Sequence, residues 1–283
     1  MATNNNPTIR QRRLARRLRE LRTAAGMTHA DTAEVLGSAE SKVGRIENAL
    51  SGVRLPDLRA LMDAYGVTNP AERAAIEQLS RQAKQKGWWS RYPATDYAAL
   101  IALEYDSSEI YNVQASLVPG LLQTEEYFEA LAKMLAPDAG PEAVKTQIDI
   151  RRERRRVLTR ENPVQFWVII AESVLYHLVG GRDVMKGQLE SLIEESQRPN
   201  IHLQVLPRED PMNACLFGPF VIFGFPSAAE TDIVYTEGLA SGLYYEEDTE
   251  VETYSTLLRR LNMAAANVTQ SRDLIANALK EME

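Results

Sequence analysis

Residues 26–49 read GMTHADTAEVLGSAESKVGRIENA, and this stretch decides the fold of the N-terminal part of the chain. Thr28 is a good N-cap for a short helix. Gly37 can take the left-handed conformation that a tight turn requires, and Ser38 after it can cap a further helix over residues 39–48. The pattern predicts a helix, a tight turn and a second helix.

Three more helices are predicted around this pair. Apolar residues recur at three-to-four spacing over about residues 9–25, as in an amphipathic helix. A fourth helix begins with Pro56 in its first turn, and a fifth spans about residues 70–86. Residues 1–86 are therefore predicted to form a mainly α, five-helix domain with a helix-turn-helix at its centre.

Charge divides the chain at about the same place. The formal net charge is -7, yet residues 1–86 hold 15 Lys and Arg against 9 Asp and Glu, whereas residues 87–283 hold 17 against 30. A basic module joined to an acidic one indicates that the small module faces a polyanion. We predict a domain boundary near Lys86, where the composition changes.

Several classes of protein are excluded by what the chain lacks. No apolar run approaches the roughly 20 residues that span a bilayer, and the N-terminus has no apolar signal segment, so a cytoplasmic protein is expected. Cys215 is the single cysteine, which excludes an intramolecular disulfide. His29, His177 and His202 lack metal-ligand spacing, and no phosphate-binding or nucleophile motif is present. We expect no catalytic activity, no metal and no cofactor.

Residues 87–283 are predicted to be an α+β domain with helices first and a small mixed sheet behind them. The first helix is predicted over residues 97–116, the second begins after the N-cap Thr124, and the third spans residues 141–161.

The later part of this domain is predicted to contain the strands. Four β-rich runs are VQFWVIIAES, NIHLQVLP, GPFVIFGF and TDIVYTE. A helix over residues 182–197 lies between the first two runs, which predicts a βαβ unit, and the last two are predicted to form an antiparallel meander. The final helix, residues 248–282, is predicted to break near Thr269.

The stretch at residues 26–49 resembles the helix-turn-helix of the phage-repressor and Xre-like family of DNA-binding regulators, over about residues 10–68. Thr28, Ala33, Gly37 and the run from Val43 to Asn48 carry this resemblance. It implies that Arg22 late in the first helix forms a structural ion pair with Glu47.

The same resemblance implies that the third helix enters the major groove of DNA. There Arg45 can bond to a guanine, Glu40 can accept from a cytosine amino group, and Ala39 can touch a thymine methyl. Thr28, His29 and Arg54 are expected to contact phosphates instead, although the family usually has glutamine at His29. The full set of predicted DNA-binding residues is Thr28, His29, Ser38, Ala39, Glu40, Ser41, Lys42, Arg45 and Arg54.

Residues 88–280 resemble the C-terminal domain of actinobacterial regulators described as antitoxin-like, many of which are encoded beside a small partner protein. The resemblance implies a set of partner-binding or ligand-binding residues: Trp89, Glu104, Gln123, Arg151, Arg155, Glu172, Tyr235 and Glu237. Glu172 and Glu237 each end a predicted strand, so two carboxylates facing one cleft are one interpretation. Pairing with Arg151, Arg155 or Arg156 is the other.

We therefore predict a sequence-specific transcriptional regulator that binds a double-stranded DNA operator as a homodimer and is nucleoid-associated when bound. Its C-terminal domain is expected to receive a protein or ligand signal. The alternative is an antitoxin-like protein that neutralises a small partner encoded nearby and uses DNA binding for autoregulation. A third interpretation is a small-molecule pocket lined by the aromatic residues Trp167, Phe220, Phe223 and Tyr235.

Overall fold

A computed structural model describes residues 7–85, 87–91, 97–216, 218–226, 231–238 and 242–282. The chain divides into two compact units, Met1–Leu103 with Pro226–Glu230, and Glu104–Phe225 with Thr231–Glu283. The boundary that the sequence predicts near Lys86 lies outside the described residues and stays a prediction. None of the described helices is both long and apolar enough to cross a membrane.

The first unit contains the five predicted helices. They are α1 (Ile9–Ala24), α2 (His29–Val35), α3 (Glu40–Glu47), α4 (Leu55–Ala64) and α5 (Pro70–Lys84). Leu18, Leu58 and Met62 lie at the centre of their shared apolar core and are almost completely buried. The amphipathic spacing in the sequence therefore corresponds to a buried helical face.

Helices α1 to α4 end in one recurring backbone motif. A residue with positive φ follows each helix, and the next backbone N–H donates to the carbonyl oxygen five residues earlier, as Ser38 does to Ala33. Three of the positive-φ positions are glycine, namely Gly26, Gly37 and Gly66, and the fourth is Ala49 with φ of 57°.

This motif also corrects the prediction that Ser38 caps the third helix. Helix α3 has Ala39 as its N-cap and no side-chain cap hydrogen bond. Ser38 instead supplies the backbone N–H that closes the end of α2. Its Oγ is buried, and no described residue forms a hydrogen bond to it.

The chain after α5 combines helices and strands. Its elements are α6 (Ala98–Asp106), β1 (Glu109–Gln114), α7 (Glu125–Leu135), α8 (Pro141–Arg155), β2 (Gln165–Ala171), α9 (Arg182–Glu195), β3 (Ile201–Leu206), β4 (Phe220–Gly224), β5 (Ile233–Glu237), β6 (Gly242–Tyr245), α10 (Asp248–Ala264) and α11 (Val268–Lys280). The predicted α+β class is confirmed.

The strands form one mixed sheet in the order β3-β2-β1-β4-β5-β6. Strands β1, β2 and β3 are parallel, and β4, β5 and β6 continue as an antiparallel meander. The predicted βαβ unit through α9 and the predicted meander are both confirmed, although β6 was not predicted. The last helix breaks between α10 and α11, where Asn267 caps α11.

One prediction about the sheet is wrong. Residues 97–116 do not form a single helix, because α6 ends at Asp106 and β1 follows. Ile110 and Val113 fit the helical spacing, but they belong to a segment that pairs with β2 on one side and β4 on the other. Backbone hydrogen bonding to a strand on each side outweighs the helical spacing of the apolar residues, since the preference for a strand depends on tertiary neighbours.

The sheet packs against α10 through an apolar cluster. Ile169, Ile222 and Val234 come from three strands and pack with Leu258 and Leu261 of α10. After the C-terminal end of α10, the segment that leads into α11 and the first turn of α11 form hydrogen bonds with the edge strand β3. Ala266 N–H donates to the Val205 carbonyl, and Val205 N–H donates to Ser271 Oγ. These bonds use backbone groups that an open edge strand would expose.

Four arginines of the run at residues 151–156 pair with acidic neighbours, as the sequence predicts. Arg154 forms two hydrogen bonds to Glu104, at 2.8 and 2.7 Å, and the two side chains are only 10% and 6% exposed. Arg152 pairs with Glu125 at the surface, where the side chains are 59% and 50% exposed. Arg155 pairs with Glu195, and Arg156 pairs with Glu153.

The contrast between the buried Arg154–Glu104 pair and the exposed Arg152–Glu125 pair gives the first prediction. Arg154→Ala leaves the buried Glu104 carboxylate without its partner and is expected to lower the free energy of unfolding by about 3–5 kcal/mol. Arg152→Ala, two residues earlier on α8, is the matched control and is expected to change the free energy of unfolding very little, because both partners of its ion pair are exposed to solvent. Urea unfolding of both variants checks this, and equal losses would contradict it.

The end of α3 gives the second prediction. Ala49 has φ of 57° at a position where the other three helices of this group have glycine. Glycine relieves the left-handed strain at a smaller cost in chain entropy, so Ala49→Gly is expected to raise the free energy of unfolding by about 0.5–1 kcal/mol. Thermal or urea unfolding measures the difference. Gly37→Ala is the converse control and should destabilise the protein, and a loss of stability in Ala49→Gly would refute the argument.

Candidate functional site

The start of α2 is fixed by a reciprocal pair of hydrogen bonds. Thr28 Oγ1 accepts from the backbone N–H of Asp31, and the Asp31 carboxylate accepts from Thr28 N–H at 2.8 Å and from the Thr28 hydroxyl at 2.7 Å. These hydrogen bonds lower the pKa of Asp31. The hydroxyl proton of Thr28 is therefore engaged within the helix cap.

Glu47 lies at the centre of the helix-turn-helix and is 4% exposed. Its Oε1 accepts from Arg22 Nε at 2.7 Å, and its Oε2 accepts from Arg22 Nη2 at 3.0 Å and bonds to His29 Nε2 at 3.1 Å. Arg22 Nη1 also donates to the Met27 carbonyl at 2.7 Å. One carboxylate thus joins α1, α2 and α3.

This arrangement controls the charge of Glu47. Burial raises the pKa of the carboxyl group, but the hydrogen bonds from Arg22 and His29 outweigh burial, so the pKa is lowered overall. The same hydrogen bond raises the pKa of Arg22. The structure therefore places Arg22 and Glu47 as the predicted ion pair and brings His29, which was predicted to contact phosphate, to the same carboxylate.

Helix α3 and its N-cap present most of the predicted base-contacting residues to solvent. Ala39, Glu40, Ser41 and Arg45 are exposed, whereas Val43 and Ile46 on the opposite side are buried. Lys42 is half-buried, and its Nζ donates to Asp57 at 2.9 Å. Lys42 is thus engaged with α4 rather than fully presented.

Arg45 and Arg54 differ from most cations of the first unit. Both are exposed, and neither forms an ion pair with any residue in the described part of the chain. Arg54 occupies the N-cap position of α4. These two side chains can therefore take a nucleic-acid partner without breaking an existing contact.

Arginines of α1 are largely engaged inside the unit. Arg16 and Arg17 pair with Glu20, Arg17 also pairs with Glu72, and Arg19 donates to the Glu47 carbonyl at 2.6 Å. Arg10 is buried beneath the surface and lies over the ring of Trp89, 5.0 Å from its centroid. Trp89, predicted to bind a partner, thus packs within the first unit.

The residues predicted to bind a partner in the second unit do not form one group. Glu104 is bound to Arg154, as described above. Glu172 is buried and accepts from the Arg208 backbone N–H at 2.9 Å. Tyr235 is buried and packs on Tyr244 at a centroid distance of 5.0 Å.

Glu172 and Glu237 do not face one cleft. Glu172 directly follows β2, and Glu237 is the last residue of β5. These two strands run in the same direction, so both residues lie at the same end of the sheet. Strands β1 and β4 stand between them. Three strand spacings put the two positions about 14 Å apart, too far for a shared carboxylate pair. The alternative of pairing with the α8 arginines is also wrong for Glu172, which accepts from Arg208.

The aromatic pocket predicted as a third interpretation is excluded by the strand register. Trp167 lies opposite Tyr111, and Phe220 lies opposite Val113, which places both on the same face of the sheet. Phe223 and Tyr235 stand at the alternate positions and point to the other face. Four side chains on two faces cannot line one pocket.

Gln123, Arg151 and Arg155 are the predicted residues that the second unit does bring together. They line a cavity of about 170 Å³ between the start of α7 and one face of α8, together with Phe128 and Arg152. Phe128 and Arg152 also belong to this site, although the sequence did not predict them there. Their only signal was helical spacing, since Arg152 follows Arg151 directly and Phe128 lies four residues after the cap Thr124.

The described residues hold no cluster of three or more His, Cys, Asp or Glu side chains that could bind a metal ion.

The carboxylate of Glu47 gives the third prediction. Because its pKa lies below the ordinary value of 4.5 in the folded protein, its contribution to stability is complete above that value and is lost as the pH falls through the folded pKa. Glu47→Gln is expected to destabilise the protein by about 3 kcal/mol at neutral pH and progressively less in acid. Urea unfolding of Glu47→Gln and of the unaltered chain, from neutral pH down to below the ordinary pKa of 4.5, measures the difference in their free energies of unfolding. Glu40→Gln, on the exposed face of α3, should show almost no difference, and a constant loss for Glu47→Gln would disprove the charge argument.

Comparisons with known proteins agree with the two-part organisation. A model described as a helix-turn-helix domain matches residues 13–76, and a model described as a domain of unknown function, DUF5753, matches residues 97–277. No curated protein and no solved structure matches significantly. The second model covers well over half of the chain. The protein therefore belongs to the DUF5753 family and carries an N-terminal helix-turn-helix domain of the kind that DNA-binding regulators use.

Proposed function

We propose that the protein is a sequence-specific transcriptional regulator of the Xre-like type that binds a double-stranded DNA operator through α3. The observation that carries this proposal is the exposed face formed by Ala39, Glu40, Ser41 and Arg45, which stands on a helix fixed from behind by Glu47. Rigid placement of a short helix with exposed polar ends suits major-groove recognition. No catalytic activity and no cofactor form part of the proposal.

The roles within the interface follow from which groups are engaged. Arg45 is exposed and carries the bidentate donor pattern that guanine O6 and N7 accept. Arg54 suits phosphate oxygens, whereas the backbone N–H groups of Thr28 and Asp31 at the start of α2 are already engaged in the helix cap. His29 and Lys42 already bond to Glu47 and Asp57, so their contribution to DNA binding is the placement of helices.

We propose a homodimer on the operator. A single helix-turn-helix makes few base contacts, and two copies on half-sites about 34 Å apart multiply a modest gain in specificity. The acidic second unit is proposed to receive a protein or ligand signal and to limit non-specific attraction to DNA through its negative charge. A cytoplasmic location, with association to the nucleoid when DNA is bound, follows from this role.

The second candidate function is an antitoxin-like protein that neutralises a small partner. It is favoured by two exposed apolar side chains at the end of α7, Met134 at 66% and Leu135 at 76% exposure. Exposed apolar groups of this size are common at protein interfaces. Replacing both by serine should abolish neutralisation under this candidate and leave operator binding unchanged under the first.

The fourth prediction tests the DNA interface in the full chain. The Ser41→Ala/Arg45→Ala variant is expected to lose about 1–3 kcal/mol of binding free energy on a duplex from the gene's own upstream region, because one bidentate base contact is removed. Binding to an unrelated duplex should change little. Fluorescence anisotropy over a salt series measures both affinities.

Arg81→Ala is the control for loss of charge, because Arg81 lies exposed on α5 and is not among the predicted DNA-binding residues. It should retain the preference for the upstream duplex. If the Ser41/Arg45 variant kept the same preference as the unaltered chain, α3 would not be the base-reading element. If the unaltered chain bound both duplexes equally at about 10⁻⁴ to 10⁻⁶ M, the regulator proposal would fail.

A further inference from the structure

The two ring nitrogens of His29 have different surroundings. Nε2 lies 3.1 Å from Oε2 of Glu47, and 42% of the His29 side chain is exposed, against 3% of the Glu47 side chain. Nδ1 forms no hydrogen bond or ion pair with any residue that the structure describes. One nitrogen is therefore bound inside the helix-turn-helix, and the other is left for a partner outside it.

The charge of Glu47 decides which ring nitrogen carries the proton. Arg22 donates to both oxygens of this carboxylate, at 2.7 and 3.0 Å, and the pKa of the carboxyl group is lowered overall, as described above. An ionised carboxylate only accepts hydrogen bonds, so Nε2 of His29 must carry the proton of the bond between them. A neutral ring has a single N–H, which leaves Nδ1 as an acceptor.

A phosphate oxygen of DNA is an acceptor as well. The neutral ring therefore cannot form a hydrogen bond to it through Nδ1, and in this state His29 only places the helices. A second proton converts Nδ1 into a donor and leaves the bond from Nε2 to Glu47 intact, because both nitrogens of an imidazolium carry a proton. A contact between His29 and a phosphate thus requires the uptake of one proton from solvent.

His29 lies beside the helix that is proposed to enter the major groove. Glu47 is the last residue of α3, and its bond to His29 holds α2 against that end of the helix. The groove is about 12 Å wide and an α-helix with its side chains is about 10–12 Å across, so an inserted helix fills the groove. An exposed side chain next to that helix then faces the sugar-phosphate backbone that borders the groove.

The cations around Glu47 leave a role for a second anion. On α1, Arg22 binds the carboxylate, and Nε of Arg19 lies 3.9 Å from its Oε2. Because two guanidinium groups already face Glu47, a positive ring of His29 gains less from this carboxylate than it would from an isolated one. A phosphate on the Nδ1 side supplies additional negative charge, so DNA favours the protonated ring.

Two further titratable groups lie in this region. Tyr65, the C-cap of α4, interacts electrostatically with Glu47, and burial raises the pKa of its phenol. Asp31, two residues along α2, is held by hydrogen bonds with Thr28 that lower its pKa. Neither group changes its charge over the pH range in which imidazole groups ordinarily titrate. Among the described residues around Glu47, the ring of His29 is the group that can respond in that range.

We propose that His29 couples DNA binding to proton uptake, with the protonated ring donating from Nδ1 to a phosphate while Nε2 stays bound to Glu47. The protein then binds DNA more tightly as the pH falls from about 8 to about 6. This inference adds a mode of regulation to the proposed DNA-binding surface and rests on the proposed function. A phosphate contact does not depend on base sequence, so the same pH dependence is expected on any duplex.

The experiment measures the affinity of the full chain for the upstream duplex and for the unrelated duplex by fluorescence anisotropy. The pH is varied from about 8 to about 6 at constant ionic strength. We expect the unaltered chain to bind both duplexes about fivefold more tightly at the lower pH, because a charged donor is added opposite a phosphate. His29→Gln keeps a polar side chain that does not titrate, and it is expected to lose most of this change.

His177→Gln is the matched control. His177 is also exposed, but it lies in the second unit, where its Nδ1 is 2.9 Å from the Ser116 carbonyl oxygen. This variant should follow the unaltered chain at every pH. Calorimetric titration with DNA in two buffers that differ in heat of ionisation counts the protons directly. The unaltered chain is expected to take up more protons per bound chain than His29→Gln.

Thermal unfolding of each variant without DNA, at both ends of the pH range, separates a lost contact from a lost fold. An affinity of the unaltered chain that does not change with pH overturns the proposal, and so does an equal change in folded His29→Gln. Loss of the pH dependence in His177→Gln overturns the location.

The two duplexes separate this inference from the proposed function. If both are bound equally but more tightly at the lower pH through His29, the proton coupling stands and the regulator proposal fails. If the upstream duplex is preferred and neither affinity changes with pH, the regulator proposal stands and the proton coupling fails. Absence of binding to either duplex at every pH overturns both.

Discussion

The presentation of helix α3 depends on a single buried carboxylate, that of Glu47. The helix has eight residues, which is too short to be stable by local hydrogen bonds alone. Glu47 ties it to α1 through two hydrogen bonds from Arg22 and to α2 through His29. Because a buried charge is costly unless it is paired, these partners also keep the side chain in one geometry. Because these bonds fix one side of α3 against α1 and α2, they determine which side of the helix is exposed.

Support and recognition are consequently carried by different residues. Most arginines of α1 bond to carboxylates or carbonyls of the same unit, so their charges serve the bundle itself. Arg45 and Arg54 lie exposed at α3 and α4 and are not used in this way within the described ranges. The number of Lys and Arg residues in the sequence of residues 1–86 is therefore larger than the number of cations available to a partner at the surface. Where a cation lies in the fold decides whether it is available.

Polar side chains organise the second unit in a similar manner. Arg154 joins α8 to Glu104, Gln188 joins α9 to the segment before α7, and Asn200 donates to the carbonyls of Leu158 and Val164. The bonds of Gln188 and Asn200 satisfy backbone groups of segments outside the α-helices and strands. Such groups must be paired when they are buried, so the network positions irregular segments around the sheet. The cavity beside Gln123 is a consequence of this frame.

The sequence by itself determined the helices of the first unit, the βαβ unit through α9, the meander and the pairing of the α8 arginines. These features depend on signals between residues close in the chain, such as the Thr28 cap, the glycines after α1, α2 and α4, and apolar periodicity. Only the tertiary structure decided that residues 109–114 form a central strand, that Glu172 and Glu237 are separated by two strands, and that Gln123 and Arg151 line one cavity. Those outcomes depend on hydrogen bonds and packing between residues that are distant in sequence, whose partners a local pattern does not specify.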